Sequence, residues 1–208
     1  MAFRRSALLL GLLGLVAAAL ACRREGGAGK STGKADGPET SFLTNFAPLN
    51  LVDQDGHPFV IDSLRGKVVL FNFIFTSCPN VCPVQTQALV EVQRKVSLQN
   101  RDRVRFVSVS IDPEHDRPAV LRSFASRFGV DFSRWTFVTG GTADIDQLAD
   151  RLRLFAQNKE RLPENHGTTL WLMDGQGRLM QRYAGDPPEV SRLVSELDSL
   201  VKVANETR

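Results

Sequence analysis

The chain has 208 residues, a hydrophobic fraction of 42%, a charged fraction of 24% and a formal net charge of +3. These values fit one ordinary globular domain with length to spare for a leader and a linker. Arg4 and Arg5 supply much of the excess positive charge, and no Lys/Arg block with interleaved aromatics follows, so the basic balance gives no case for a nucleic-acid partner.

Arg4 and Arg5 precede the apolar run Ala7 to Ala21, the pattern of an export signal and shorter than the ~20 residues of a spanning helix. Ala19-Leu20-Ala21-Cys22 resembles a bacterial lipobox, whose cysteine is acylated after cleavage. Residues 1–21 are therefore expected to be a lipoprotein-type signal peptide and Cys22 the lipidation site. The body would sit lipid-anchored on the cell membrane, facing the periplasm or cell exterior, where disulfides persist. Residues 22–45, rich in Gly, Ser, Thr and charge until apolar content returns at Phe42, are expected to form a flexible tether, and residues 46–205 the folded domain.

Within that domain Phe46 to Phe59 suggests short strands around an Asp-Gly turn, and Leu64-Arg65-Gly66-Lys67 a turn into the apolar strand Val68 to Phe75. Val84, Ala88, Val92 and Val96 recur every four residues, which predicts one face of a helix. Val104 to Ile111 reads as a strand. A helix with Pro118 in its first turn follows and stops at Gly129. Trp135 to Val138 is a short strand, and Ile145, Leu148, Ala149 and Leu152 mark a helix with Thr142 as its N-cap. Leu170 to Met173 and Leu179 to Tyr183 flank Asp174-Gly175-Gln176-Gly177, a hairpin signal. The last helix is expected from Asp186-Pro187-Pro188-Glu189 onward. This order predicts an α/β, thioredoxin-like fold: a central mixed sheet flanked by helices, with an N-terminal β extension.

The chemistry-bearing feature is Thr76-Ser77-Cys78-Pro79-Asn80-Val81-Cys82-Pro83, directly after the apolar strand. A helix N-terminus presents free N–H groups and partial positive charge, and both favour thiolates. Residues four apart on a helix have Cβ atoms about 5–6 Å apart, wider than a relaxed disulfide prefers, so the spacing leans toward a bridging metal without excluding redox chemistry. Among the histidines, His57 lies in an early turn and His115 in the polar loop Asp112-Pro113-Glu114-His115-Asp116; both read as solvated, and Asp112 and Asp116 as setting a turn and a helix start. His166 ends the polar loop Gln157 to Asn165 and immediately precedes an apolar strand; in thioredoxin-like folds the loop before that strand faces the cysteine pair. It stands where thioredoxins carry a cis-proline. Two thiolates and one imidazole are a soft set too small for structural zinc or an iron–sulfur cluster, and copper fits it best.

Phe73 to Pro83, Ser110 to Pro118 and Asn165-His166-Gly167-Thr168-Thr169 resemble the three signature regions of the Sco/SenC family of copper chaperones, over about residues 46–203. The resemblance implies that Cys78, Cys82 and His166 bind copper, as Cu(I) or Cu(II). It implies a role in building the copper centre of cytochrome c oxidase, with that enzyme's copper-bearing subunit or another copper protein as partner. Asn165 stands where the family often has an acid. Some members act as thiol–disulfide reductants or redox sensors. The alternative is therefore an oxidoreductase with Cys78 as nucleophile and Cys82 as resolving thiol, in which His166 is dispensable.

Overall fold

The structure, a computed structural model, describes residues 41–157 and 160–206; the expected leader, Cys22 and the tether up to residue 40 lie outside them. In chain order the elements are Leu51–Asp53 (β1), Val68–Ile74 (β2), Val81–Lys95 (α1), Val104–Ser110 (β3), Pro118–Arg127 (α2), Trp135–Gly140 (β4), Thr142–Leu152 (α3), Leu170–Met173 (β5), Leu179–Tyr183 (β6) and Val190–Glu206 (α4). They build one six-stranded sheet in the order β1-β4-β3-β2-β5-β6. β2, β3 and β4 run parallel, while β1 on one side and β5 and β6 on the other are antiparallel. The mixed, helix-flanked sheet expected from the element order is the one observed. Among the described residues no helix is long and apolar enough to cross a membrane.

β2 is buried along its whole length, which is why it reads as a continuous apolar run. Its period of two still sorts the side chains. Phe71 meets Phe42 and Phe46 at ring-centroid distances of 5.4 and 5.2 Å, and Phe73 meets Trp171 at 6.1 Å. Asn72 points the other way, to α1, where it donates to Gln85 Oε1 at 2.6 Å.

Four expectations are corrected. Phe42–Phe46 forms a 3-10 turn with Phe42, Leu43 and Phe46 buried, so these residues belong to the domain rather than to a tether ending at 45. Burying each such side chain contributes about 1.5–3 kcal/mol, enough to dock a short segment. The buried face of α1 is offset in its first half: Val92 and Val96 are buried as expected, but Val84 is 51% exposed, and Cys82, Gln85, Thr86, Leu89 and Gln93 point inward as well. Gln85 and Gln93 tolerate burial because their amides are hydrogen-bonded. The N-cap of α3 is Gly141, with Thr142 already helical. α4 starts at Val190, after both prolines, and the Glu189 carbonyl accepts from Leu193 N–H at 3.1 Å.

The sheet has two poles. β2 starts beside the β5–β6 turn, where Gly66 N–H donates to Gly175 O at 2.8 Å, and ends at the cysteine loop. Phe42 N–H donates to Gly177 O at 2.7 Å, so the chain enters the fold at the pole away from the cysteines. That separation is about 20 Å at ~3.3 Å per strand residue. Gly177 has φ +82°, and a Cβ there would press on the Ser41 hydroxyl.

Phe71→Ala removes a ring that is 0% exposed. It is expected to cost about 3–5 kcal/mol of stability, read from urea unfolding followed by tryptophan fluorescence.

Candidate metal centre

β2 ends at Ile74 and α1 begins at Val81, so Cys78 precedes the helix and Cys82 is its second residue. The loop closes on itself: Cys78 N–H donates to Phe75 O at 3.2 Å, and Cys82 N–H donates to Cys78 Sγ at 3.4 Å. Both cysteines are free thiols. They are chemically unequal. Burial pushes the Cys78 thiol up, but hydrogen bonds from the backbone of Cys82, Asn80 and Val81 and from the Cys82 thiol outweigh it, and its pKa falls below the ordinary value. Cys82 is 2% exposed, and burial drives its pKa up to about 12; the neighbouring charges of Cys78 and Asp116 add to the rise, and a backbone hydrogen bond from Phe75 opposes it. The helix terminus therefore activates one sulfur, not both as expected, because desolvation of Cys82 exceeds what the N–H groups return.

Asp116 fixes this loop. Fully buried, it accepts from Thr76 N–H at 3.0 Å, from the Thr76 hydroxyl, and from Ser110 Oγ at 2.6 Å. Asp112 does set the turn: its carbonyl accepts from Asp116 N–H at 2.8 Å, and its carboxylate holds His115 Nδ1 at 2.8 Å. That hydrogen bond raises the His115 pKa, yet the ring is 75% exposed and faces solvent. His57 is equally exposed, 3.7 Å from Asp53.

His166 sits between a short 3-10 turn and β5. A bridge to Phe155 and a hydrogen bond from Gly167 N–H to Leu154 O at 3.2 Å hold its backbone. Its ring lies edge-on to Phe75 at 5.8 Å, with Nδ1 2.5 Å from Pro163 O and Nε2 3.1 Å from Phe73 O. A neutral imidazole has one N–H. Assigning it to the shorter contact leaves the Nε2 lone pair against the Phe73 carbonyl, an acceptor facing an acceptor. Phe75 thus touches all three candidate ligands: its ring meets His166, its carbonyl takes the Cys78 N–H, and its backbone reaches Cys82. The set is not closed. Among the described residues only Asp53, Asp55 and His57 bring three such ligand atoms within 4.8 Å of one another.

A residue the sequence reading missed links the two halves of the site. Gln85, 2% exposed and one turn beyond Cys82, donates from Nε2 to Thr168 O at 3.0 Å and to Gly185 O at 2.9 Å. Its Oε1 accepts from Asn72, whose Oδ1 accepts from Ser108 Oγ at 2.6 Å, which accepts from Trp135 Nε1 at 2.8 Å. The direction of every bond is fixed by the indole, which can only donate. The relay ties α1 to the strand entry two residues after His166.

The family model described as SCO1/SenC matches residues 39–202. This chain belongs to the SCO1/SenC family. A SCO1/SenC family lipoprotein from Bacillus anthracis is 31% identical, with a TM-score of 0.63, over 72% of this chain and 90% of that one. Bradyrhizobium japonicum ScoI with copper bound is 27% identical, with a TM-score of 0.62, over 73% and 96%. BsSco, a member of the Sco family of cytochrome c oxidase assembly proteins in which a disulfide switch is identified, is 29% identical, with a TM-score of 0.60, over 74% and 91%.

In this SCO1/SenC domain the unequal thiols give a labelling test. Iodoacetamide at about pH 7.5 is expected to modify Cys78 and to spare Cys82 until the protein is unfolded, mapped by mass spectrometry. The raised Cys82 pKa also carries a sign for stability. Above its ordinary value of 9.0 the unfolded chain loses a proton that the fold retains up to about 12, so stability falls as pH rises through that interval. Urea midpoints against pH are expected to show this decline, flattened in Cys82→Ala. Gln85→Leu strands the Asn72 amide and the Thr168 and Gly185 carbonyls; it is expected to cost about 2–4 kcal/mol. Gly185→Ala sets a Cβ onto the Thr168 carbonyl and the Gln85 amide and is expected to speed amide exchange in the same segment.

Proposed function

We propose that this protein binds one copper ion through Cys78 Sγ, Cys82 Sγ and the His166 imidazole and delivers it during assembly of the copper centre of cytochrome c oxidase. The body would work outside the cytoplasmic membrane, held there by lipid on Cys22. The observation that carries the reading is the pairing of two free thiols at a helix N-terminus with a histidine resting on the same Phe75. The donor set fits the cargo: two sulfurs and one imidazole are soft ligands, the class that selects Cu(I). The copper-bound relative shares the fold. The lipoprotein relative is consistent with the Cys22 reading.

Cys78, with its lowered pKa, is the first sulfur available to an entering ion. Cys82 must give up a proton that burial retains, so loading releases a proton and tightens as pH rises. His166 completes the set by leaving the Phe73 carbonyl. Delivery proceeds by ligand exchange, with the partner's thiols replacing these ligands one at a time. Three ligands leave a position for the entering group.

A second reading is favoured by the thiol asymmetry. An accessible Cys78 thiolate attacks a partner disulfide and forms a mixed disulfide. Cys82 then loses its proton and attacks Cys78, releasing the partner as a dithiol and oxidising this chain to a disulfide. The same two residues would serve, and His166 would be dispensable.

Titration of the reduced protein with Cu(I) against a competing chelator tests the first reading. Cys78→Ser, Cys82→Ser and His166→Ala are each expected to weaken binding by more than about 100-fold, beyond the loss seen for a merely supporting residue. Parent-like affinity in all three sinks the copper site. His166→Ala with unchanged disulfide reductase activity and negligible copper affinity assigns the pair to thiol exchange.

A further inference from the structure

On the face opposite α1, a cavity of about 500 Å³ lies between the 42–46 turn, the end of α3 and strands β5 and β6. Its wall includes Arg151, Arg153 and Arg182, the rings of Phe42 and Trp171, and Gly167, the residue after His166. No Asp or Glu lines it, and none of the three arginines makes an ion pair among the described residues. The α3 C-terminus accounts for part of this arrangement. Its carbonyls carry about half a negative charge, which suits a nearby cation. That is well short of three guanidinium charges, and Arg182 comes from β6 rather than from the helix.

Two of the guanidinium groups are held in advance. Arg151 donates from Nη1 to Asn45 O and Ala47 O, both at 2.7 Å, and from Nη2 to Gln147 Oε1 at 2.8 Å. Arg182 lies over the Trp171 ring, 4.3 Å from its centroid. Arg153 occupies the C-cap with φ 52°, a conformation that favours glycine and costs a side-chain-bearing residue on the order of 1 kcal/mol or more. Trp171, 5% exposed, has an indole N–H with no acceptor. A buried donor left without a partner is expensive. Planar guanidinium forks pair bidentately with carboxylate and phosphate. The volume is that of a small-ligand site.

We propose that this cavity binds a small multivalent oxyanion, a di- or tricarboxylate or a phosphate, between Arg151, Arg153 and Arg182. The site is separate from the cysteine pair and stands whether or not copper binds there.

The test uses the full chain, reduced and metal-free, in calorimetric titrations with sodium citrate and, separately, inorganic phosphate at low salt. One-site binding of at least one anion is expected, weakened roughly tenfold or more by added sodium chloride, as screening requires for exposed charges. Citrate binding alone assigns a polycarboxylate, and phosphate binding alone assigns a phosphate. The double variant Arg153→Ala/Arg182→Ala is expected to abolish the binding. Arg122→Ala, an arginine paired with Asp55 elsewhere, is expected to keep it. A measurement on the unmodified protein removes dependence on the variants: bound anion is expected to protect Arg153 and Arg182 from phenylglyoxal, mapped by mass spectrometry. No saturable binding of either anion, or no protection of these two arginines, overturns the proposal.

Discussion

The side-chain amide of Gln85 is the constraint on which the geometry of the cysteine pole depends. It sits inside α1 three residues after Cys82 and reaches backbone carbonyls in two other segments, at Thr168 and Gly185. On its other side it closes a chain of donors and acceptors that crosses the sheet through Asn72 and Ser108 to Trp135. Hydrogen bonds in a poorly polarisable interior are strong when made and costly when missed. The network therefore admits one arrangement. A shift of the segment after His166 relative to the cysteine helix would strand two carbonyls and an amide at once. Asp116 does the corresponding work for the loop before Cys78, gathering the Thr76 amide and hydroxyl with the Ser110 hydroxyl in a fully buried place. Polar groups buried in the core, more than the cysteines themselves, set where the sulfurs stand.

Much of the fold was legible because burial imposes a period on the sequence. Val68 to Phe75 announced the buried strand that the fold ends one residue earlier, at Ile74, and Asp174-Gly175-Gln176-Gly177 announced the hairpin whose turn Asp174 braces through the Gln176 and Arg178 amides. The cysteine pair and His166 stood out as candidates by residue type and position, and the fold brings Cys78 and His166 against Phe75. What stayed hidden was mostly polar and inside. Gln85 and Gln93 look like surface residues of an amphipathic helix, so the apolar spacing pointed to Val84 and Ala88 instead. Asp116 looked like a turn residue because nothing in a linear pattern shows that its acceptors have donors waiting across the fold. The segment 42–46 was absorbed into a tether because the sequence before it is rich in Gly, Ser, Thr and charge, though three of its side chains are aromatic or aliphatic anchors.

Helix-terminus reasoning also overreached at Cys82. N–H groups at the start of α1 lower the energy of a thiolate, but only where solvent still reaches the sulfur. Cys78 meets that condition and Cys82 does not. The result is an unequal pair: hydrogen bonds from the start of α1 hold the Cys78 thiol below its ordinary pKa, and burial keeps the proton on Cys82.

The Gly177 contact carries a consequence for orientation. Ser41 and Phe42 dock at the far end of β2 from Cys78, so the described chain enters the domain at the pole opposite the sulfurs. The point of entry therefore takes no surface from the cysteine loop, and an approaching molecule can reach that loop without meeting the start of the folded domain.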